Sequence, residues 1–96
     1  MSKPRPALAK FAEYMEDVLR ENDWKCGWHG MTISRLIQRT QEELDEVKEV
    51  SMEHIPANAI IDNLKRMKKE VADVANFCMM LNDIIDDCIR EMEEMT

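Results

Sequence analysis

Glycine occurs twice and proline three times in 96 residues. Both residue types interrupt helices and strands, so their scarcity, beside plentiful Met, Leu, Glu, Lys and Ala, points to an all-α chain. No Pro/Gly-rich linker and no internal repeat divides it, and we read residues 1–96 as a single helical domain with 1–6 as a loose N-terminus. Cysteine is sparse and odd in number: Cys26, Cys78 and Cys88 form no disulfide framework, and a reducing cytoplasm suits them. Cys26 and His29 have zinc-like spacing without a second pair, which is a weak signal. There is no long apolar run behind the basic residues of the N-terminus, so neither a signal peptide nor a membrane span is expected. Positive charge is also in deficit. A net charge of −7 and a pI near 4.8 oppose binding to a nucleic-acid backbone.

The chain reads as three or four helices in an antiparallel bundle. Pro4 and Pro6 discourage a helix before Ala7, and an amphipathic stretch follows from about Ala7 to Glu21 with Leu8, Phe11, Ala12, Met15, Val18 and Leu19 as its buried face. Thr32 or Ser34 caps a second helix running to about His54, and Ile55-Pro56-Ala57-Asn58 is the turn after it. From Ala59 to Glu94 nothing breaks the pattern. A continuous helix there is on the order of 54 Å long against about 33 Å for the second. Either it bends near Asn82-Asp83 into a fourth helix, or its C-terminal half packs on another copy through Leu81, Ile85, Cys88, Ile89 and Met92. Both outcomes favour a homo-oligomer, a dimer or a tetramer.

Against this background two acidic couplets stand out, Glu43-Leu44-Asp45-Glu46 and Glu70-Val71-Ala72-Asp73. Each places two carboxylates three residues apart, on one side of a helix, where they can share a cation. The 23 residues between Glu46 and Glu70 suffice to end one helix, turn and return antiparallel. With Glu43 at zero and 100° per residue, Leu36, Val47, Thr40, Ile33 and Leu44 fall at roughly 20° to 100° and Val50 at about −20°. From Glu70, the residues Asn63, Leu81, Val74, Met67, Cys78 and Val71 fall at roughly 20° to 100°, with Phe77 at about −20°. Both acids therefore lie within apolar stripes, while Glu46 and Asp73 lie about 60° to one side. Buried carboxylates need a partner to offset desolvation. That partner is a cation such as Lys25, Arg35 or Lys65, or a hard divalent ion held from two facing helices.

Asn22 to Met31 is the long irregular stretch, with both tryptophans and both glycines. It is either a connector whose tryptophans plug the bundle's end, or a loop over a ligand that offers an aromatic ring and Lys25. Lys65, Arg66, Lys68 and Lys69 read as a solvated face offsetting nearby acids, or as a source of one phosphate-binding cation.

Lys25-Cys26-Gly27-Trp28, the two couplets, and the continuation Val74-Ala75-Asn76-Phe77 together resemble the MazG-like all-α nucleoside triphosphate pyrophosphohydrolases, particularly their compact single-domain members. The resemblance spans about residues 8 to 85. It implies cleavage of a nucleoside triphosphate between the α and β phosphates, with Mg²⁺ as cofactor, for which Mn²⁺ can substitute. It further implies that Glu43, Glu46, Glu70 and Asp73 hold the metal, that Lys25 and Trp28 contact the phosphates and the base, and that Asn76 faces the nucleotide. For the general base we favour Glu46 over Glu42, with Glu43 beside it in the catalytic group. A different class of function, a non-catalytic helical module whose Met-rich stripe engages a partner helix, competes with this reading.

Overall fold

The computed structural model describes residues 2–22, 27–52 and 54–96. Over these residues the chain is all-α. Helix α1 spans Pro6–Asn22, α2 spans Ile33–Met52, and α3 spans Ile60–Met95 after a single 3₁₀ turn at Ala57–Ala59. No described residue is in a strand, and no described helix is long and apolar enough to cross a membrane.

Helix ends follow local chemistry. Pro6 is the first helical residue, because a proline at that position gives up an amide that would have no helical partner. The Arg5 carbonyl accepts the first bond, from the Ala9 amide at 3.0 Å. Thr32 is the cap of α2: its Oγ1 accepts the Arg35 amide at 3.1 Å. Gly27 adopts φ 66°, a left-handed conformation that costs glycine little. The third helix takes the unbroken course, with no bend near Asn82, and its 36 residues rise about 54 Å.

That helix organises the molecule. α2 returns antiparallel along it, and α1 packs on it as well without a comparable approach to α2. Leu36 of α2 and Phe77, Met80 and Ile84 of α3 form the buried cluster, flanked by Leu19, Trp28, Met31, Met79 and Leu81. The principal extents of 59 × 33 × 22 Å follow the length of α3. A radius of gyration of 16.4 Å exceeds the roughly 12.5 Å of a compact chain this long, so much of α3 is bare.

Ile85, Cys88, Ile89 and Met92 are exposed, as expected of the uncovered C-terminal stripe, but Leu81 packs against the buried cluster and the bare flank extends further toward the N-terminus of α3 than the sequence reading placed it. With Glu70 at zero, Ala72, Asn76, Met80, Ile84 and Phe77 lie at about −160°, −120°, −80°, −40° and −20°. All five are buried. On the opposite flank Leu64, Val71, Ile85 and Ile89, at about 60° to 120°, are exposed. So are Cys78 and Cys88. α2 shows the same division, with Leu36 and Val50 buried but Ile33, Ile37 and Leu44 exposed. In α1 only part of the expected face is covered. Val18 is buried and Phe11, Met15 and Leu19 are half-buried, whereas Leu8 and Ala12 face outward because α1 meets α3 alone.

Leu36 is fully buried and Leu8 is 60% exposed. Leu36→Ala should therefore cost about 2–5 kcal/mol in urea unfolding, as core truncations do. Leu8→Ala should change stability by no more than about 0.5 kcal/mol.

Candidate metal centre

The antiparallel α2–α3 pairing that stacks Leu36 on Met80 also brings Glu43 level with Glu70. One carboxylate oxygen from each of Glu43, Glu46 and Glu70 lies within 4.8 Å of the other two. Ligand oxygens around an ion bound at about 2.1 Å stand roughly 3 to 4.2 Å apart, so small adjustments would close this set on a divalent cation. The three differ in environment: Glu43 is buried, Glu70 is half-buried and Glu46 is exposed. Glu70 Oε2 is shut off from solvent and finds no hydrogen-bond partner among the described residues. A buried carboxylate oxygen left in that state is expensive unless a cation or proton satisfies it.

The carboxyls of this group are pushed toward the protonated form. Burial first, then hydrogen bonding to Glu46 and the charges of Glu46 and Asp73, push the Glu43 carboxyl up to about 7, with Arg39 opposing. The Glu70 carboxyl is raised for the same reasons in the same order, opposed by Lys69. Ionised carboxylates offer only acceptors to one another, so their approach favours the protonated form of the more buried acids.

Asp73, the fourth expected ligand, stands outside the trio. It is half-buried, and its carboxyl is raised by burial first, then by Glu46 and Glu21, against the pull of Lys69. It shapes the field at Glu43 and Glu70 without joining their close contact.

The cation beside Glu43 is none of those expected. Arg39, one turn earlier on α2, sends Nη2 to Glu43 Oε1 at 3.1 Å and Nη1 to Glu42. Its guanidinium carbon lies 5.0 Å from the centre of the Phe77 ring on α3. Arg35 reaches Glu42 only at 3.8 Å. The four-residue spacing from Arg39 to Glu43 was the available signal.

The substrate-side residues are dispersed. Lys25 lies outside the described residues. Trp28 packs against the Leu36 cluster and donates Nε1–H to Asp83 Oδ2 at 2.9 Å, the arrangement of a plug. Asp83 is ten residues beyond Asp73, about 15 Å along the helix. His29, stacked on Trp28, shares a hydrogen bond with Asp87 at 3.2 Å. Asn76 is buried and donates to the Met15 carbonyl at 3.0 Å, so its amide holds α1. In the basic cluster Lys69 pairs with Glu21 at 3.5 Å and Lys68 lies over Tyr14, which also tie α1 to α3.

Comparison with known proteins adds one relative. A protein of Archaeoglobus fulgidus (strain ATCC 49558 / DSM 4304 / JCM 9628 / NBRC 100126 / VC-16) is 33% identical over 70 residues, which cover 73% of this chain and 67% of the relative. The two belong to one family. That relative is itself described only as an uncharacterized protein, so kinship brings no activity with it. No protein-family model and no solved structure matches the chain.

The raised carboxyls fix a pH dependence. The folded chain holds a proton on Glu43 up to about 7, whereas the unfolded chain releases it near 4.5. Between those values the folded state binds more protons, so stability falls as pH rises through this window. Without divalent ions, urea unfolding should show lower stability at pH 8 than at pH 5. Glu43→Gln should flatten that slope, and an undiminished slope would mean that the burial of this acid is not its source.

Proposed function

We propose that this chain is a Mg²⁺-dependent nucleoside triphosphate pyrophosphohydrolase of the MazG-like type. The observation that carries the reading is the meeting of Glu43, Glu46 and Glu70 from two antiparallel helices, with ligand oxygens within 4.8 Å of one another. The motif resemblance supports it, since these are the acids that it singles out. The donor set suits a hard cation, being all oxygen and open to solvent on the Glu46 side.

Glu43, Glu46 and Glu70 would hold magnesium, with Asp73 adding negative field at the rim. The ion supplies charge neutralisation for a triphosphate that four carboxylates would otherwise repel, and it makes a bound water more acidic. Glu46, the exposed member, accepts the proton of the attacking water. Water adds across the α–β phosphoanhydride, the bridging oxygen leaves with pyrophosphate, and the monophosphate remains. Exposed Cys78 and Cys88 thiols are in keeping with a reducing, cytoplasmic setting.

The working form is a homo-oligomer, dimeric or tetrameric. Ile61, Leu64, Val71, Cys78, Ile85, Ile89 and Met92 form an apolar seam along α3 at intervals of three, four or seven residues, with Lys68, Ala75 and Asn82 at the intervening heptad positions, and all seven apolar residues are exposed. A seam this long exceeds the apolar patch that a monomer normally leaves in water. The same seam favours the competing reading, a module that binds a foreign helix. Such a module would have no use for the buried acids.

Two experiments decide. Mg²⁺ should raise Tm and support pyrophosphate release from a panel of nucleoside triphosphates, with EDTA abolishing both. Glu70→Gln should remove the Tm response and the activity while the chain stays folded, and an unchanged response would sink the metal assignment. Ile85→Asp with Ile89→Asp should reduce the assembly to a monomer in light scattering, with most activity lost. A fully active monomer of the unmodified chain would refute the shared seam.

A further inference from the structure

Arg39 is placed differently from the other basic residues near the acids. Lys69 is drawn to Glu21 and Lys68 to Tyr14. Arg39 instead lies in the α2–α3 seam, forked between Glu42 and Glu43 and resting on the Phe77 ring. Its side chain is 30% exposed, so solvent screens it only in part. A guanidinium is positive at any working pH and carries its donors in a fixed plane, which suits a permanent charge in a confined place.

We propose that Arg39 is the resident counter-cation on the Glu43 side of the acidic centre: it offsets the buried Glu43 carboxylate when no divalent ion is bound, and its charge weakens the binding of that ion. The inference rests on the reading of Glu43, Glu46 and Glu70 as divalent-ion ligands. Two effects of Arg39 on the ion oppose each other. Its fork orients Glu43, which helps binding, while its charge repels a dication a few ångströms away. The fork touches one of the three candidate ligands and leaves Glu46 and Glu70 alone, whereas the repulsion acts on the ion whichever carboxylates hold it. Repulsion therefore wins. Arg39 acts through Glu43 and the local field and is a positioning residue, with no contact to a reacting atom required.

The sign of the effect separates this role from ordinary structural support. Arg39→Met keeps an apolar stem that can pack on Phe77 and deletes the charge, whereas Arg39→Lys keeps the charge and loses the fork. Titration calorimetry with MgCl₂ should show Arg39→Met binding roughly tenfold more tightly than the unmodified chain, by the Coulomb estimate for a half-screened charge. Arg39→Lys should stay within about twofold of the unmodified chain on the same argument. Without Mg²⁺, Arg39→Met should melt at a lower temperature than the unmodified chain, and saturating Mg²⁺ should close the gap. If Arg39→Met unfolds without metal and refolds on adding Mg²⁺, followed by circular dichroism, the ion has replaced the missing cation and the proposal stands. Weaker or unchanged Mg²⁺ binding in Arg39→Met, a variant unfolded with and without the ion, or an Arg39→Lys that behaves like Arg39→Met would overturn it. Absence of Mg²⁺ binding by the unmodified chain would instead refute the metal centre on which it rests.

Discussion

A carboxylate in the seam between two helices governs this molecule. Glu43 is 7% exposed at a position where Leu or Val would pack without cost. Its presence obliges the neighbourhood to supply positive charge or protons. Arg39 provides the first, and burial, which pushes the Glu43 carboxyl up to about 7, favours the second. The seam is thus least stable where it is most acidic and most secure ten or so ångströms away, where Leu36 meets Met80 and Phe77. A stable apolar zone beside a strained polar one is the usual division of labour between scaffold and site.

The second constraint is the length of α3. A helix of 36 residues cannot be covered all round by 20 residues of α2 and 17 of α1. The chain covers one flank and leaves the other, so Glu70 stands at the border of a buried apolar face and an open one.

Much of this was legible in the sequence. The turn at Ile55 to Asn58, the Thr32 cap, and the placement of Glu43 among core positions follow from local chemistry and helical angle. For α3 the angle was right in part, since Phe77 is buried and Asn63, Met67, Val74 and Leu81 are half-buried, but Val71 and Cys78 are exposed. Periodicity finds the most apolar sector, which holds Val71, Cys78 and Ile85, but it does not say which sector the chain's own helices will cover. Asn76 and Ala72 fall outside that sector and are buried. Asn76 in particular is the kind of residue whose role depends on a distant carbonyl, that of Met15, which no local pattern reveals. Arg39 was missed for the opposite reason. Its pairing is entirely local, yet charges four apart are so common on solvated helices that the spacing carries little weight until the guanidinium is found against Phe77.

The attachments of α1 have a consequence for the order in which the fold comes apart. α2 and α3 are joined by a short turn and pair as a hairpin, so most of their contacts close a modest loop. α1 is held by Val18 and Leu19, the Asn76 amide, the Lys69–Glu21 pair and Lys68 over Tyr14, contacts that span up to 61 residues of sequence. Its release regains much chain entropy against the apolar surface of Val18 and Leu19 that it exposes, and it leaves the contact of Leu36 with Phe77, Met80 and Ile84 in the α2–α3 hairpin. The first helix is a clasp that opens at lower free energy than the rest of the chain, and each opening uncovers the back of the helix that carries Glu70.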